Sequence, residues 1–235
     1  MQGASGDRDN GFSLPLSRRL VSQLTKILFR RIETKFCEPF YYLVRGEIRN
    51  NTANIDGGGI YTRYGGKISV YGGEVKENKS NWGGGIYTRD SSEIYLMGGE
   101  VKNNLANSGS GGVRCYVDSY FVFTGGKIIG NTTNGYGGGV YINTNSAFEM
   151  TGGEISNNTA KDYAGGVYVN YGSSSFIMTG GVISQNMANR EGGGVYVINS
   201  TFQMFGGSIK NNVAKMDGGG VYENYGPFTM FGGER

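Results

Sequence analysis

The chain has no histidine, and only two cysteines and three prolines among 235 residues. Nor is there any run approaching the roughly 20 consecutive apolar residues that a membrane helix needs, so no integral membrane segment is expected. Without imidazole, a Ser-His-Asp triad, a His-ligated metal and every other histidine mechanism are excluded. Cys37 and Cys115 stand far apart with no CxxC spacing, which indicates neither a disulfide framework nor a zinc site. The amino-terminal residues lack the uninterrupted apolar core of a signal peptide. An excess of one charge is missing too. The 22 Lys and Arg against 19 Asp and Glu leave a net +3, too little to argue for a polyanionic partner, so no nucleic acid is expected. Metal and cofactor are expected to be absent.

What is abundant is glycine, at 44 residues, alongside 37% hydrophobic and 13% aromatic residues. That apolar content exceeds what disordered segments carry, so the composition points to turns and strands around a buried core.

Aligned on itself, the chain shows seven copies of a unit whose clearest form, FEMTGGEISNNTAKDYAGGVYV, runs from Phe148 to Val169. An aliphatic residue after a glycine pair recurs at Ile48, Val75, Val101, Ile128, Ile155, Ile183 and Ile209, in steps of 26 to 28 residues. Three positions later comes asparagine, at Asn51, Asn78, Asn104, Asn131, Asn158, Asn186 and Asn212. A small residue follows, from Ala53 to Ala214, and then a glycine block that leads into Ile60, Ile86, Val113, Val140, Val167, Val195 and Val221. An apolar pair such as Phe148 with Met150 precedes the next aliphatic position.

Short alternating segments separated by glycine, at a period near 27, are the mark of a solenoid whose units bury their apolar faces only against one another. Helical repeats do not tolerate such glycine, since each interior one costs about 1 kcal/mol relative to alanine. The fold expected is all-β: a right-handed parallel β-helix of about seven coils of about 27 residues, whose stacking at about 4.8 Å would span about 30 Å. Residues 1–16 are expected to be flexible. Residues 17–43, where Leu20, Val21, Leu24, Ile27, Leu28 and Ile32 alternate with basic residues, form an amphipathic helical cap and lead-in. Residues 44–235 carry the coils and stop partway through an eighth. Glycine at the corners is expected to supply positive φ.

Each recurrent polar column has a structural reading beside a functional one. The asparagines are expected to form a ladder of amides, although Asn78-Lys79-Ser80 and Asn131-Thr132-Thr133 are formal glycosylation sequons. Glu47, Glu74, Glu100, Glu154 and Glu234 raise the question of a carboxylate pair for glycoside chemistry. Arg49, Lys76 and Lys102 lie two positions after the first three, and Lys127 interrupts the column, so a solvated charge ladder is preferred. Period-two alternation sends Tyr61, Tyr87, Tyr141, Tyr168, Tyr196 and Tyr222 outward in a stripe interrupted only by Arg114. These seven residues are the candidate binding stripe, with mutual stacking as the structural alternative. Cys115 shares the inward column of Val169 and Val197 and is expected to be a buried thiol.

At Ile155-Ser-Asn-Asn158-Thr-Ala160 followed by Gly165-Gly166-Val167-Tyr168, and at six sister sites, the sequence resembles the passenger repeats of the polymorphic outer membrane protein family. The resemblance covers about residues 44 to 235. It departs in placing Ile or Val before x-x-Asn and a third glycine where alanine is usual. It implies a secreted or cell-surface β-helix, an adhesin or autotransported passenger, with a glycan or a host or cell-surface protein as partner. End-to-end self-association of the coils is a further partner class. The expected function is a non-catalytic binding module. The alternatives are a carbohydrate-active enzyme of pectate-lyase-like fold and a passive spacer. Against the enzyme, the connections beside the strands vary by only about one residue, as between Asn143 and Ala147 or between Asn170 and Ser175, so nothing walls a cleft.

Overall fold

The computed structural model describes residues 40–231. The chain divides into two units, Met1–Cys37 and Glu38–Arg235, and every described residue belongs to the second. The expected flexible stretch 1–16, the amphipathic segment over 17–36, Cys37 and Glu234 lie outside the described residues.

The second unit is a parallel β-helix, as the repeat requires. A representative coil comprises Glu74–Lys76, Lys79–Ser80, Ile86–Arg89 and Glu93–Leu96. Equivalent strands pair across coils into four sheets of seven, six, seven and eight strands. We call them the isoleucine, short, tyrosine and phenylalanine sheets. Among the described residues every named strand pair is parallel. Register is kept throughout: Ile128 pairs with Val101 and Ile155, Tyr141 with Arg114 and Tyr168, and Phe148 with Phe121 and Phe176. Phe40–Leu43, within the segment read as lead-in, is itself a strand and pairs with Lys67–Val70.

Strand alternation builds the core. Phe121, Phe148, Phe176 and Phe202 are fully buried and stack coil on coil, with ring centroids 4.5–4.7 Å apart and planes within 4–8°. Burial of each ring is worth roughly 1.5–3 kcal/mol, and offset stacking adds to it. The isoleucine column and the first residues of the tyrosine strands close the core from the other sides. Cys115 lies in that core as expected. The inward column of the tyrosine sheet that contains it is not apolar to the end, because its last member, Glu223, is exposed.

Two features of the coil depart from the sequence reading. The column of small residues proves to be a strand, and Ala106, Thr133, Ala160 and Ala188 on it are fully buried. The glycine that opens the block before the tyrosine strand supplies positive φ as expected, as at Gly137 with φ 64° and Gly192 with φ 72°, but the two that follow serve a different purpose. A Cβ on Gly85 would lie 2.7 Å from the Gly112 carbonyl and 2.9 Å from both Asn104 Nδ2 and Val101 Cγ1, so close approach of neighbouring coils demands glycine there. Positive φ is the reason at the second residue of the glycine pair, as at Gly99 with φ 76°.

Candidate functional site

The asparagine ladder is complete from Asn51 to Asn212. Asn104 shows the pattern: its backbone N–H and its Nδ2 both donate to Asn131 Oδ1 at 3.0 Å, and Nδ2 also donates to the Val75 carbonyl at 2.9 Å. The residue before each rung, such as Asn103 at φ 54° or Asn157 at φ 54°, is left-handed. Each corner between the isoleucine and short strands is therefore one left-handed residue plus one amide. That amide bonds the amides of its neighbours and satisfies two backbone groups of the preceding coil, as Asn131 does with the Asn104 N–H and the Val101 carbonyl. Asn78 and Asn131, the sequon residues, are fully buried rungs of this ladder.

On the outside of the isoleucine sheet the expected charge ladder is present. Lys76 Nζ lies 2.7 Å from Glu47 and also holds Glu74, while Lys102 Nζ lies 2.7 Å from Glu100 and reaches back to Glu74. Lys127 lies 3.5 Å from Glu154. Hydrogen bonds from Lys102 and then Lys76 hold the Glu74 carboxyl down at about 2. Glu74, shared between two ammonium groups, is thus a fully ionised bridge and no proton donor.

The tyrosine stripe is in register as expected, but it is not an exposed surface. Tyr87, Tyr141, Tyr168 and Tyr196 are only 2–5% exposed and Arg114 only 6%; Tyr61 and Tyr222, at the two ends, are half-buried. The cover comes from the connection between the short and tyrosine strands, which carries a second ring in some coils. Each such ring lies over the stripe residue one coil ahead: Trp82 over Arg114 at 4.6 Å, Tyr136 over Tyr168 at 5.4 Å and Tyr163 over Tyr196 at 5.2 Å. The Arg114 guanidinium sits among Trp82, Tyr87, Tyr116 and Tyr141 at 4.6–5.2 Å, stacked between rings. Phenol oxygens inside the layer find partners, with Asn143 Nδ2 donating to Tyr141 at 2.6 Å and Asn170 Nδ2 to Tyr168 at 3.1 Å. Burial pushes the Tyr87 phenol up to about 12 and raises Tyr168 further.

Exposed aromatic residues lie in the connections after the tyrosine strands, as at Tyr64, Tyr171 and Tyr225, and on the outer side of the phenylalanine sheet. Tyr42 and Tyr71 are 49% and 50% exposed, with rings 6.2 Å apart. On the same face, Tyr95 and Tyr120 are half-buried on adjacent strands. Tyr95 donates its phenol proton to Glu93 at 2.7 Å, and burial together with the nearby Glu149 carboxylate raises the Tyr120 phenol. Sequence reasoning passed over this face, although the alternation that sends Phe148 and Met150 inward sends Glu149 outward.

From the second coil on, the connections are two, five or six, two to four, and three residues long in turn around the coil. The profile of the Chlamydia polymorphic membrane protein repeat matches residues 47–63. Over that stretch the chain is similar to a polymorphic membrane protein repeat. No curated protein and no solved structure gives a significant match. The matched stretch holds one isoleucine strand, ladder residue Asn51, the small residue Ala53, the glycine block and the tyrosine strand Ile60–Thr62. The six later coils place equivalent residues in register with it. A polymorphic membrane protein repeat on a parallel β-solenoid points to an outer-membrane or surface protein of passenger-like architecture.

Proposed function

We propose that this chain is a non-catalytic β-helix module, displayed on a cell surface or secreted, that binds a glycan or protein partner along its flat outer faces. The observation that carries this reading is the shortness of every connection from the second coil on, none longer than six residues. Catalytic clefts on such scaffolds need loop walls and a break in the repeat at one level. Here the sheet faces stay unwalled, and the one regular array of carboxylates is tied up with lysines. Flat faces that carry aromatic side chains suit recognition.

The test uses the full chain coated on beads and applied to cultured epithelial cells, with albumin-coated beads as reference. Saturable adhesion, competed by the soluble chain, is expected, together with no release of reducing or unsaturated sugar ends from a polysaccharide panel. Sugar-end release would establish an enzyme, and adhesion equal to albumin would leave a spacer.

A further inference from the structure

On the outer face of the phenylalanine sheet, register sets Glu93 beside Tyr120, and Tyr95 beside Val122, which in turn pairs with Glu149. Tyr95 and Tyr120 are thus diagonal neighbours, with Glu93 and Glu149 at opposite ends of the pair. Tyr95 is tethered to Glu93 at 2.7 Å, and Glu149 stands diagonal to Tyr120 on the next strand. The tether fixes the Tyr95 ring, so little side-chain entropy is lost when a ligand settles on it. A carboxylate that accepts one phenol proton retains further lone pairs for other donors. Lys67 is the cation at this cluster, 3.7 Å from Glu93.

We infer that this face is a subsite for a neutral, hydroxyl-rich oligosaccharide that lies across the strands. The inference rests on the binding-module reading and names the ligand class and the place. The apolar C–H face of a sugar ring packs on tyrosine, while its hydroxyls donate to the free lone pairs of Glu93 and Glu149. Two carboxylates against one lysine repel uronate or sialate residues, so charge complementarity selects against acidic glycans. Parallel strands about 4.8 Å apart present a new row of side chains for each sugar unit of an extended chain. A second exposed ring pair, Tyr42 with Tyr71, lies further toward the first coil, with Ser69 between Tyr42 and Tyr95. The connections flanking the sheet are two to four and three residues long and raise no wall along either side of such a ligand.

The experiment is an array of neutral, amino and acidic oligosaccharides probed with the full chain, with Tyr95→Ala, Tyr120→Ala and Glu149→Gln variants, and with Tyr171→Ala as a control at another exposed position. Each variant is checked by its far-UV spectrum and melting temperature, and Tyr95→Phe and Tyr120→Phe stand in if an alanine variant fails to fold. Binding to neutral oligosaccharides is expected, weakened about tenfold by either alanine change, less by Glu149→Gln, and unchanged by Tyr171→Ala. Binding confined to acidic glycans, or neutral binding that survives all the tyrosine changes, overturns the inference. A silent array with beads that still adhere to cells overturns it as well, while the binding-module reading stands with a protein as partner. A silent array with no adhesion removes both.

Discussion

The side chain of Asn131 accepts two hydrogen bonds at 3.0 Å from the single residue Asn104, one from its backbone N–H and one from its side-chain amide. Its own Nδ2 donates to the Val101 carbonyl at 2.9 Å and to Asn158 at 3.0 Å. Asn131→Ala therefore orphans two buried donors and one carbonyl, each at roughly 1–3 kcal/mol. The expected loss in urea unfolding is about 3 kcal/mol or more. Asn212→Ala, at a half-buried rung that water reaches, should cost about 1 kcal/mol. Equal losses would show that the ladder is not the stabilising element.

Glycine has two separate roles, and substitution distinguishes them. Gly85→Ala forces a methyl against a carbonyl and an amide of the next coil and should cost about 1–3 kcal/mol or more. At Gly65, with φ 76° and nothing within 4 Å of an added Cβ, alanine should cost only the left-handed penalty of about 1 kcal/mol. Thermal midpoints of the two variants provide the comparison.

The acid limb of stability should depend on Glu74. Its folded pKa of about 2 lies below the ordinary 4.5, so its contribution is present in full above 4.5 and is lost as pH falls toward 2. Glu74→Gln should reduce stability at pH 7 but not at pH 2, which flattens the curve over that window. Urea midpoints at both pH values check this, and an unchanged acid slope would discount the bridge.

Tyr168 and Tyr171 are three residues apart and should behave oppositely. Tyr168→Ala opens a void in a layer where that residue is 5% exposed, at about 3 kcal/mol. Tyr171, 58% exposed, should tolerate alanine within about 0.5 kcal/mol. A small loss at Tyr168 would mean that the covering rings do not pack on the stripe in solution.

Burial raises the Cys115 thiol well above its ordinary range. In a Cys37→Ser background, iodoacetamide should leave the native chain unmodified and label it after unfolding in urea, as mass spectrometry would show. Labelling of the folded chain would show that the core opens at this coil.

The period of about 27 residues and the strand alternation were legible in the sequence because both are local. An in-register stack makes every residue the neighbour of its equivalent one repeat away, so the columns of phenylalanine, isoleucine, asparagine and glutamate could be read by alignment alone. The two-residue strands were not legible, because a pair of residues carries no periodicity. What marks them is close approach of the neighbouring coil, since a Cβ on Gly84 would lie 2.6 Å from the Leu105 carbonyl oxygen.

The direction in which each side chain leaves the backbone was thus determined by sequence: Tyr141 points away from the core and Phe148 into it. Exposure was decided only by tertiary structure. It depends on what the adjoining loops lay over each position, and the rings of Trp82, Tyr136 and Tyr163 reach forward by one coil. The same holds for Tyr95 and Tyr120. Alternation placed both outside, but the diagonal setting between Glu93 and Glu149 follows from the register of three separate strands. Alternation acts within one strand, whereas burial and partnership depend on the packing of several.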